Sequence, residues 1–203
     1  MPISFKQEII FVHIPKNAGT AIAENPSIAF SDHGHHFYEY YQSRYPLLWG
    51  WYKKFAVVRN PWDRIVSNYE YARMKESYWH SVSGRAQNPL GQSVPHPDLE
   101  LAQTLNFSDL VKKFRKKPEA LKHHGWAAQW PYVMRDKDLV VDKVFKFDDL
   151  ENSDEFKALV PDLKIKNSTP KKHKNYRDYY DEECQRLVGE IYKEDIDRFG
   201  FEF

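Results

Sequence analysis

Residues 13–20 read HIPKNAGT and follow directly on the apolar run EIIFV. A turn between a strand and a helix can hold an anion on its backbone N–H groups, and a glycine lets a ligand approach closely. Gly19 is such a glycine, Lys16 adds a positive charge, and Thr20 adds a hydroxyl donor. The common nucleoside-triphosphate loop has glycine directly before its lysine and Ser or Thr directly after it. This octapeptide lacks that order, so on its own it indicates an anion site and an ordinary turn with a solvated lysine equally well.

A second candidate for phosphate binding is the segment VVRNPWDRIVSNY at 57–69. Arg59 follows an apolar stretch typical of a buried strand, and ligands of open α/β sheets bind at the carboxyl ends of strands. Its planar guanidinium group can donate two parallel hydrogen bonds to a phosphate, and Ser67, two helical turns further along, can add a hydroxyl. Taken alone, Arg59 could equally form a salt bridge at the end of the strand.

Three histidines lie between these two segments, in SDHGHHFYEYY at 31–41. Histidine has a pKa close to working pH, so His33, His35 or His36 could accept a proton in general-base catalysis. Two other interpretations are a metal site and a polar turn at a strand edge. No cysteine or carboxylate stands at recognisable zinc spacing from these histidines, which disfavours the metal site. Glu39 is a further candidate base.

Composition limits the classes of protein that fit. The chain has 203 residues, 41% hydrophobic and 16% aromatic, which predicts one folded domain over 1–203. Its 30 basic and 29 acidic residues give a net charge of +1, which disfavours nucleic acid and anionic membranes as partners. Cys184 is the only cysteine, so an intramolecular disulfide and a cysteine-based zinc site are excluded.

Residues 1–10 lack a secretory signal and no apolar run approaches the ~20 residues of a membrane span, so we expect a cytoplasmic protein without membrane insertion.

Three apolar, β-branched segments predict the strands that position these residues: 8–14, 54–60 and part of 139–150. Helical patterns separate them, which predicts an α/β fold, P-loop-like and with three layers (α/β/α), around a central mostly parallel sheet. Residues 77–101 predict a long loop, because they contain several glycines and prolines and few apolar residues. Helices are predicted to begin after Thr20, ahead of Pro26, and to cover 61–76, 107–117, 123–134 and 181–200.

Together, FVHIPKNAGT and FAVVRNPWDRIVSNYEY resemble the two cofactor-binding segments of sulfotransferases that use 3′-phosphoadenosine 5′-phosphosulfate (PAPS). The pattern is similar to that of the membrane-type carbohydrate sulfotransferases, including the heparan and the chondroitin or dermatan groups. The likeness extends to DKVFKFDDLEN and to the carboxyl-terminal NYRDYYDEECQRLVGEIYKEDIDRFGF, so it touches most of the chain. The resemblance implies an enzyme that transfers a sulfuryl group to a hydroxyl and releases adenosine 3′,5′-bisphosphate (PAP).

The resemblance also implies roles for individual residues at the 5′ end of the donor. Lys16 would stabilise the charge that develops on the leaving phosphate oxygen. Thr20 and the backbone of the three residues before it would hold the 5′-phosphate. Those three residues are Asn17, Ala18 and Gly19.

At the other end of the donor, Arg59 and Ser67 would hold the 3′-phosphate. The basic run at 164–180 occupies the place where the family closes a loop over the nucleotide, so it is either a cofactor flap or a solvated loop. Its candidate phosphate contacts are Ser168, Lys171, Lys172 and Lys174.

A His-Gly-His element between the two motifs resembles the uronyl 2-O-sulfotransferases, in which the second histidine is the base. On that match His35 is the base and His33 assists, while the additional His36 leaves the choice open. The implied reaction requires no metal. The expected acceptor is the hydroxyl of a carbohydrate, either a glycan or a small molecule.

Two other classes of function remain open at this level. One is a small P-loop kinase or nucleotidase, for which Asp148 and Asp149 would be the nearest acidic magnesium ligands. The other is a non-catalytic nucleotide-binding module. The sequence indicates no particular oligomeric state.

Overall fold

The computed structural model describes residues 2–28, 30–31, 34–74, 96–163 and 175–203. Backbone contacts divide the chain into two compact units. The first unit comprises Met1–Asn60, Ala128–Lys166 and Asp197–Phe201, and the second comprises Pro61–Ala127, Asn167–Ile196 and Glu202–Phe203. One domain over 1–203 stays a prediction. Most of the predicted loop at 77–101 and of the predicted flap at 164–180 lies outside the described residues.

The first unit contains a four-stranded sheet and a separate two-stranded sheet. The strands are β1 (Ile3–Ser4), β2 (Ile9–Val12), β3 (Lys53–Val58), β4 (Met134–Arg135), β5 (Asp138–Leu139) and β6 (Lys143–Lys146). The larger sheet has the order β1-β2-β3-β6, in which β1 is antiparallel to β2 and the other two pairs are parallel. This mixed, mostly parallel sheet, flanked by helices, confirms the predicted α/β fold class.

The helices are mostly short. They are α1 (Gly19–Ala23), α2 (Tyr38–Arg44), α3 (Pro46–Trp51), α4 (Pro61–Arg73), α5 (Leu99–Thr104), α6 (Phe107–Lys116), α7 (Asp154–Leu159), α8 (Glu182–Ile191) and α9 (Lys193–Phe199). Single 3₁₀ turns cover Pro118–Ala120, His124–Trp126, Trp130–Tyr132, Phe147–Asp149 and Tyr176–Tyr179. Within the described ranges, no helix is long and apolar enough to cross a membrane.

The two parallel strands β2 and β3 carry the core of the first unit. Every residue of β2 is buried, and Phe11 stacks on Phe55 of β3 with ring centroids 5.1 Å apart. Strands covered on both faces have continuous apolar runs, which is why the sequence predicted them correctly. Because β2 and β3 are parallel neighbours, their carboxyl ends lie at the same edge of the sheet. The turn at 13–20 and Arg59, which come directly after these strands, are therefore brought to one place.

The second unit has a core of residues from α4, α6 and α8. Ile65, Tyr69 and Ala72 of α4 are buried, as their helical spacing predicts. Cys184 of α8 is fully buried in the same core, and burial raises the pKa of its thiol to about 12. Cys184 is therefore a packing residue that carries no thiolate at neutral pH.

The prediction of a helix at 123–134 is wrong. Two 3₁₀ turns occupy these residues, and β4 begins at the end of the range. In the second unit, the buried carboxylate of Asp98 accepts a hydrogen bond from the backbone N–H of His123 at 2.9 Å, and His123 Nδ1 accepts one from Gly125 N–H at 3.1 Å. These groups are satisfied without a helix, and Pro131 further along cannot donate a helical hydrogen bond.

The helix predicted at 181–200 is two helices, α8 and α9, which meet at Tyr192. The buried hydroxyl of Tyr192 donates a hydrogen bond to the backbone oxygen of Trp126 at 2.7 Å within the second unit. Gly200 has a φ of 62° and ends α9, as predicted. The helix predicted after Thr20 is only five residues long and ends before Pro26.

Candidate active site

Residues 15–20, which follow β2 and include the first two residues of α1, have an unusual backbone conformation; we call this segment the anion turn. Lys16 and Ala18 have positive φ angles of 70° and 59°, whereas Asn17 between them does not. Alternating left-handed and right-handed residues form a concave row of N–H groups, which binds anions. Because α1 has only five residues, its dipole is small. An anion bound here would therefore be held mainly by the N–H groups of the turn and the nearby cations.

A buried amide network fixes the anion turn to the end of β3. Asn17 is completely buried, and its Nδ2 donates hydrogen bonds to Val57 O and to Gln129 Oε1, both at 2.8 Å. Gln129 Oε1 also accepts from Arg59 N, and Gln129 Nε2 donates to Arg59 O, both at 2.9 Å. A single buried glutamine therefore holds the backbone of Arg59 and the side chain of Asn17 in one arrangement.

The side chain of Arg59 contacts the backbone of the anion turn within the first unit. Arg59 Nη1 donates a hydrogen bond to the backbone oxygen of Lys16 at 3.2 Å. The Arg59 guanidinium carbon also lies 4.5 Å from the centroid of the Phe147 ring, a second contact that orients the group. Thr20 is in the first turn of α1 and is partly exposed. Lys16, Arg59 and Thr20 can thus supply charge and hydrogen bonds to one anion-binding region.

No sequence pattern singled out Gln129, although its side chain links Asn17 to Arg59. The only signal in the sequence was an uncharged polar residue in a segment, 126–132, that is otherwise rich in tryptophan and tyrosine. Replacement of Gln129 with leucine is expected to lower the free energy of unfolding by about 3 kcal/mol, because the buried Asn17 amide and the partly buried backbone of Arg59 lose hydrogen-bond partners. Urea unfolding followed by circular dichroism measures this change.

The matched control for that measurement is Gln103→Leu. Gln103 is exposed, and its side-chain amide donates a hydrogen bond to the backbone oxygen of Arg73. It is expected to change the unfolding free energy by less than about 0.5 kcal/mol. A Gln129→Leu protein as stable as the control would show that the amide network does not hold the turn.

His35 lies beside His13, two residues before the anion turn. Its Nδ1 is 3.0 Å from the backbone oxygen of His13, and the two imidazole rings have centroids 3.9 Å apart at an interplanar angle of 52°. His36 instead stacks on Tyr40 with centroids 3.9 Å apart, and burial lowers its pKa. Glu39 is exposed in the first turn of α2.

The structure therefore brings together, in the first unit, the predicted residues of the anion turn, Arg59 and His35. Ser67 lies on α4 of the second unit and is 9% exposed. The remaining predicted residues lie outside the described residues, and their roles stay predictions: His33, Ser168, Lys171, Lys172 and Lys174. Among the residues with described positions, no group of three or more His, Cys, Asp or Glu residues could hold a metal ion.

This arrangement suits the transfer of a group between an oxyanion and a hydroxyl. The row of N–H groups and the Lys16 and Arg59 cations favour a phosphate or a sulfate ester, and cations aimed at a departing oxygen accelerate such transfers. His35 can accept the proton of an attacking hydroxyl. The geometry alone leaves open which group is transferred.

Comparison with known proteins decides this question. A family model described as "Sulfotransferase family" matches residues 3–202, which is nearly the whole chain and includes both candidate phosphate-binding segments. Neither the curated proteins nor the solved structures contain a significant match. Because the family model spans nearly the full length, the chain belongs to the sulfotransferase family, that of the carbohydrate or Golgi-type enzymes.

Proposed function

We propose that this sulfotransferase moves a sulfuryl group from PAPS to a hydroxyl of a carbohydrate, with His35 as the general base. The family supports PAPS as donor and a hydroxyl-bearing acceptor, and it favours sulfuryl transfer over a kinase, a nucleotidase or a non-catalytic module. The observation that carries the proposal is the position of His35, which is hydrogen-bonded at 3.0 Å to the backbone oxygen of His13, two residues before the anion turn.

On the donor side, the anion turn holds the 5′-phosphosulfate. The N–H groups between Asn17 and Thr20 donate hydrogen bonds to the phosphate oxygens, while Arg59 holds the 3′-phosphate at the other end of the donor. Lys16 stabilises the negative charge that develops on the phosphate oxygen when its bond to sulfur breaks. Because a loose transition state places most of its charge on the leaving group, positioning and cationic stabilisation supply most of the acceleration.

On the acceptor side, the hydrogen bond of His35 fixes its protonation pattern. A backbone carbonyl can only accept a hydrogen bond, so Nδ1 of His35 carries the proton that is donated to His13 O. In neutral His35 the lone pair is therefore on Nε2, which takes the proton of the acceptor hydroxyl as its oxygen bonds to sulfur. The sulfuryl group passes to the acceptor, and PAP departs.

Exposed aromatic rings directly after His35 support a ring-shaped acceptor. Phe37 is 44% exposed and packs against Tyr132 with centroids 4.3 Å apart, while Tyr40 is 37% exposed and stacks on His36. Aromatic rings offer apolar faces on which sugar rings stack. Together with the resemblance to carbohydrate sulfotransferases, these rings favour a carbohydrate over a simple alcohol.

Transfer assays with a panel of acceptors test the proposal. The panel contains desulfated heparan, chondroitin and dermatan chains, monosaccharides, simple alcohols and phenols, and mass spectrometry detects the added sulfuryl group. We expect PAPS-dependent sulfation of at least one carbohydrate and weaker or no sulfation of simple alcohols. Sulfation confined to phenols or simple alcohols would contradict the carbohydrate acceptor but leave the sulfuryl transfer itself intact.

A further inference from the structure

His13 occupies the space between the core of the first unit, the anion turn and His35. The residue is only 4% exposed, and its ring stacks on Phe11 of β2 with centroids 5.3 Å apart and an interplanar angle of 22°. The same ring contacts that of His35 at 3.9 Å between centroids. The imidazole of His13 is thus held by a core strand and touches the candidate base.

The anion turn rests directly on this ring at Gly19. A Cβ atom built on Gly19 would lie 1.6 Å from Nε2 and 2.0 Å from Cδ2 of His13, closer than real Cβ atoms approach other atoms. Gly19 is not among the glycines with positive φ, so its backbone could accommodate another residue. Glycine is required at this position because a side chain here would overlap the His13 ring. A larger residue at Gly19 would have to displace the His13 ring, which has only two side-chain torsions with which to move.

His13 also holds His35 in two ways. Its backbone oxygen accepts the Nδ1 proton, and its ring restricts rotation of the neighbouring imidazole. A catalytic base must be held within about half an ångström of its working position for efficient proton transfer. The ring contact and the hydrogen bond come from the same residue, so a shift of His13 would disturb the orientation of the base.

We propose that His13 is a positioning residue that couples the anion turn to His35. The ring supports the turn at Gly19 and packs against the base, so the donor site and the base share one structural support. The part of this proposal that concerns His35 rests on its role as general base in the proposed function. The support of the turn is tested separately, through donor binding alone.

The first test is a double-mutant cycle between Gly19 and His13, read by the affinity for PAP in isothermal titration calorimetry. Gly19→Ala is expected to weaken PAP binding at least tenfold, whereas the same change in a His13→Ala protein is expected to alter affinity less than about threefold, because the truncated side chain leaves room for the new methyl group. Equal loss in both backgrounds would overturn the proposal.

Gly50→Ala is the matched control for this cycle. Gly50 lies in α3, and a Cβ built on it meets nothing within 4 Å, so the substitution is expected to change PAP affinity less than about twofold in either background. If Gly19→Ala alone does not fold, folding becomes the measurement. Recovery of folded protein in the His13→Ala/Gly19→Ala variant then supports the steric pairing, and absence of recovery contradicts it.

The second test is a cycle between His13 and His35, read by the single-turnover rate at saturating PAPS. His13→Ala is expected to slow turnover about tenfold in the wild-type background and less than about twofold in a His35→Ala protein, because it acts through His35. An equal slowing in both backgrounds would overturn the coupling. Full activity of His35→Ala is a different result, which would refute the proposed base and leave the Gly19 cycle to report on the turn.

Discussion

Replacement of His35 with alanine is expected to lower the single-turnover rate of sulfuryl transfer by about 100-fold or more, the usual effect of losing a general base. The acceptor hydroxyl would then have to lose its proton to water while it attacks the sulfur. Donor affinity depends on the anion turn and on Arg59, so PAP binding is expected to change less than about threefold. Rapid-quench measurement of the rate and calorimetry of PAP binding separate the two effects.

His36→Ala is the comparison that distinguishes the two neighbouring histidines. His36 stacks on Tyr40, and burial lowers its pKa. We expect this variant to slow transfer less than about fivefold, because proton removal remains with His35. Wild-type activity in His35→Ala together with a 100-fold loss in His36→Ala would assign the base to His36. If neither substitution lowered the rate, His33 or Glu39 would be the remaining candidates.

Replacement of Lys16 with alanine is expected to lower the transfer rate at saturating PAPS by roughly 100-fold to 1000-fold, the range measured when a group that stabilises transition-state charge is removed. The leaving phosphate oxygen gains negative charge only as its bond to sulfur breaks, so the rate should fall more than the PAP affinity. Lys16 has a φ of 70°, and alanine meets the same backbone strain there, so the change isolates the side-chain charge.

Lys6→Ala is the control for the loss of positive charge. Lys6 is exposed in the same unit, ahead of β2, and its removal changes the net charge by the same amount. We expect its transfer rate to stay within about twofold of wild type, since exposed charges away from a site contribute little. A rate loss of equal size in Lys6→Ala and Lys16→Ala would mean that overall charge, and not a lysine at the leaving oxygen, governs the reaction.

The sequence predicted the sheet because its central strands are continuous apolar runs. All of β2 and the last four residues of β3 are buried, and such strands differ from helices in length and in their content of β-branched residues. Parallel pairing then places the ends of β2 and β3 together, so the meeting of the anion turn with Arg59 is a consequence of the fold class. The structure confirms these strands and their parallel pairing.

Features that depend on distant hydrogen bonds could not be predicted in this way. Residues 123–134 were predicted to form a helix, yet two 3₁₀ turns occupy them, and the N–H of His123 donates to the carboxylate of Asp98, 25 positions earlier in the chain. Gln129 likewise connects to Asn17 across 112 positions. No local pattern reports such a pairing, because each residue type also occurs in ordinary loops.

His13 shows a different limit of sequence reasoning. The residue stands at the head of HIPKNAGT, but its importance lies in three contacts, with Phe11, Gly19 and His35. Gly19 was predicted to allow close approach of a ligand, and the structure adds that it makes room for the His13 ring. A glycine motif indicates that space is needed, and only the packing shows which group uses that space.

A titration with PAP in the absence of metal ions, on wild-type protein and on Arg59→Ala, tests the central claim most directly. We expect one PAP site in the wild type, binding weakened by at least tenfold in Arg59→Ala through loss of a charge-assisted hydrogen bond, and no competition from magnesium-ATP. A preference for magnesium-ATP, or PAP binding that is unchanged in Arg59→Ala, would contradict a donor site built on the anion turn and Arg59.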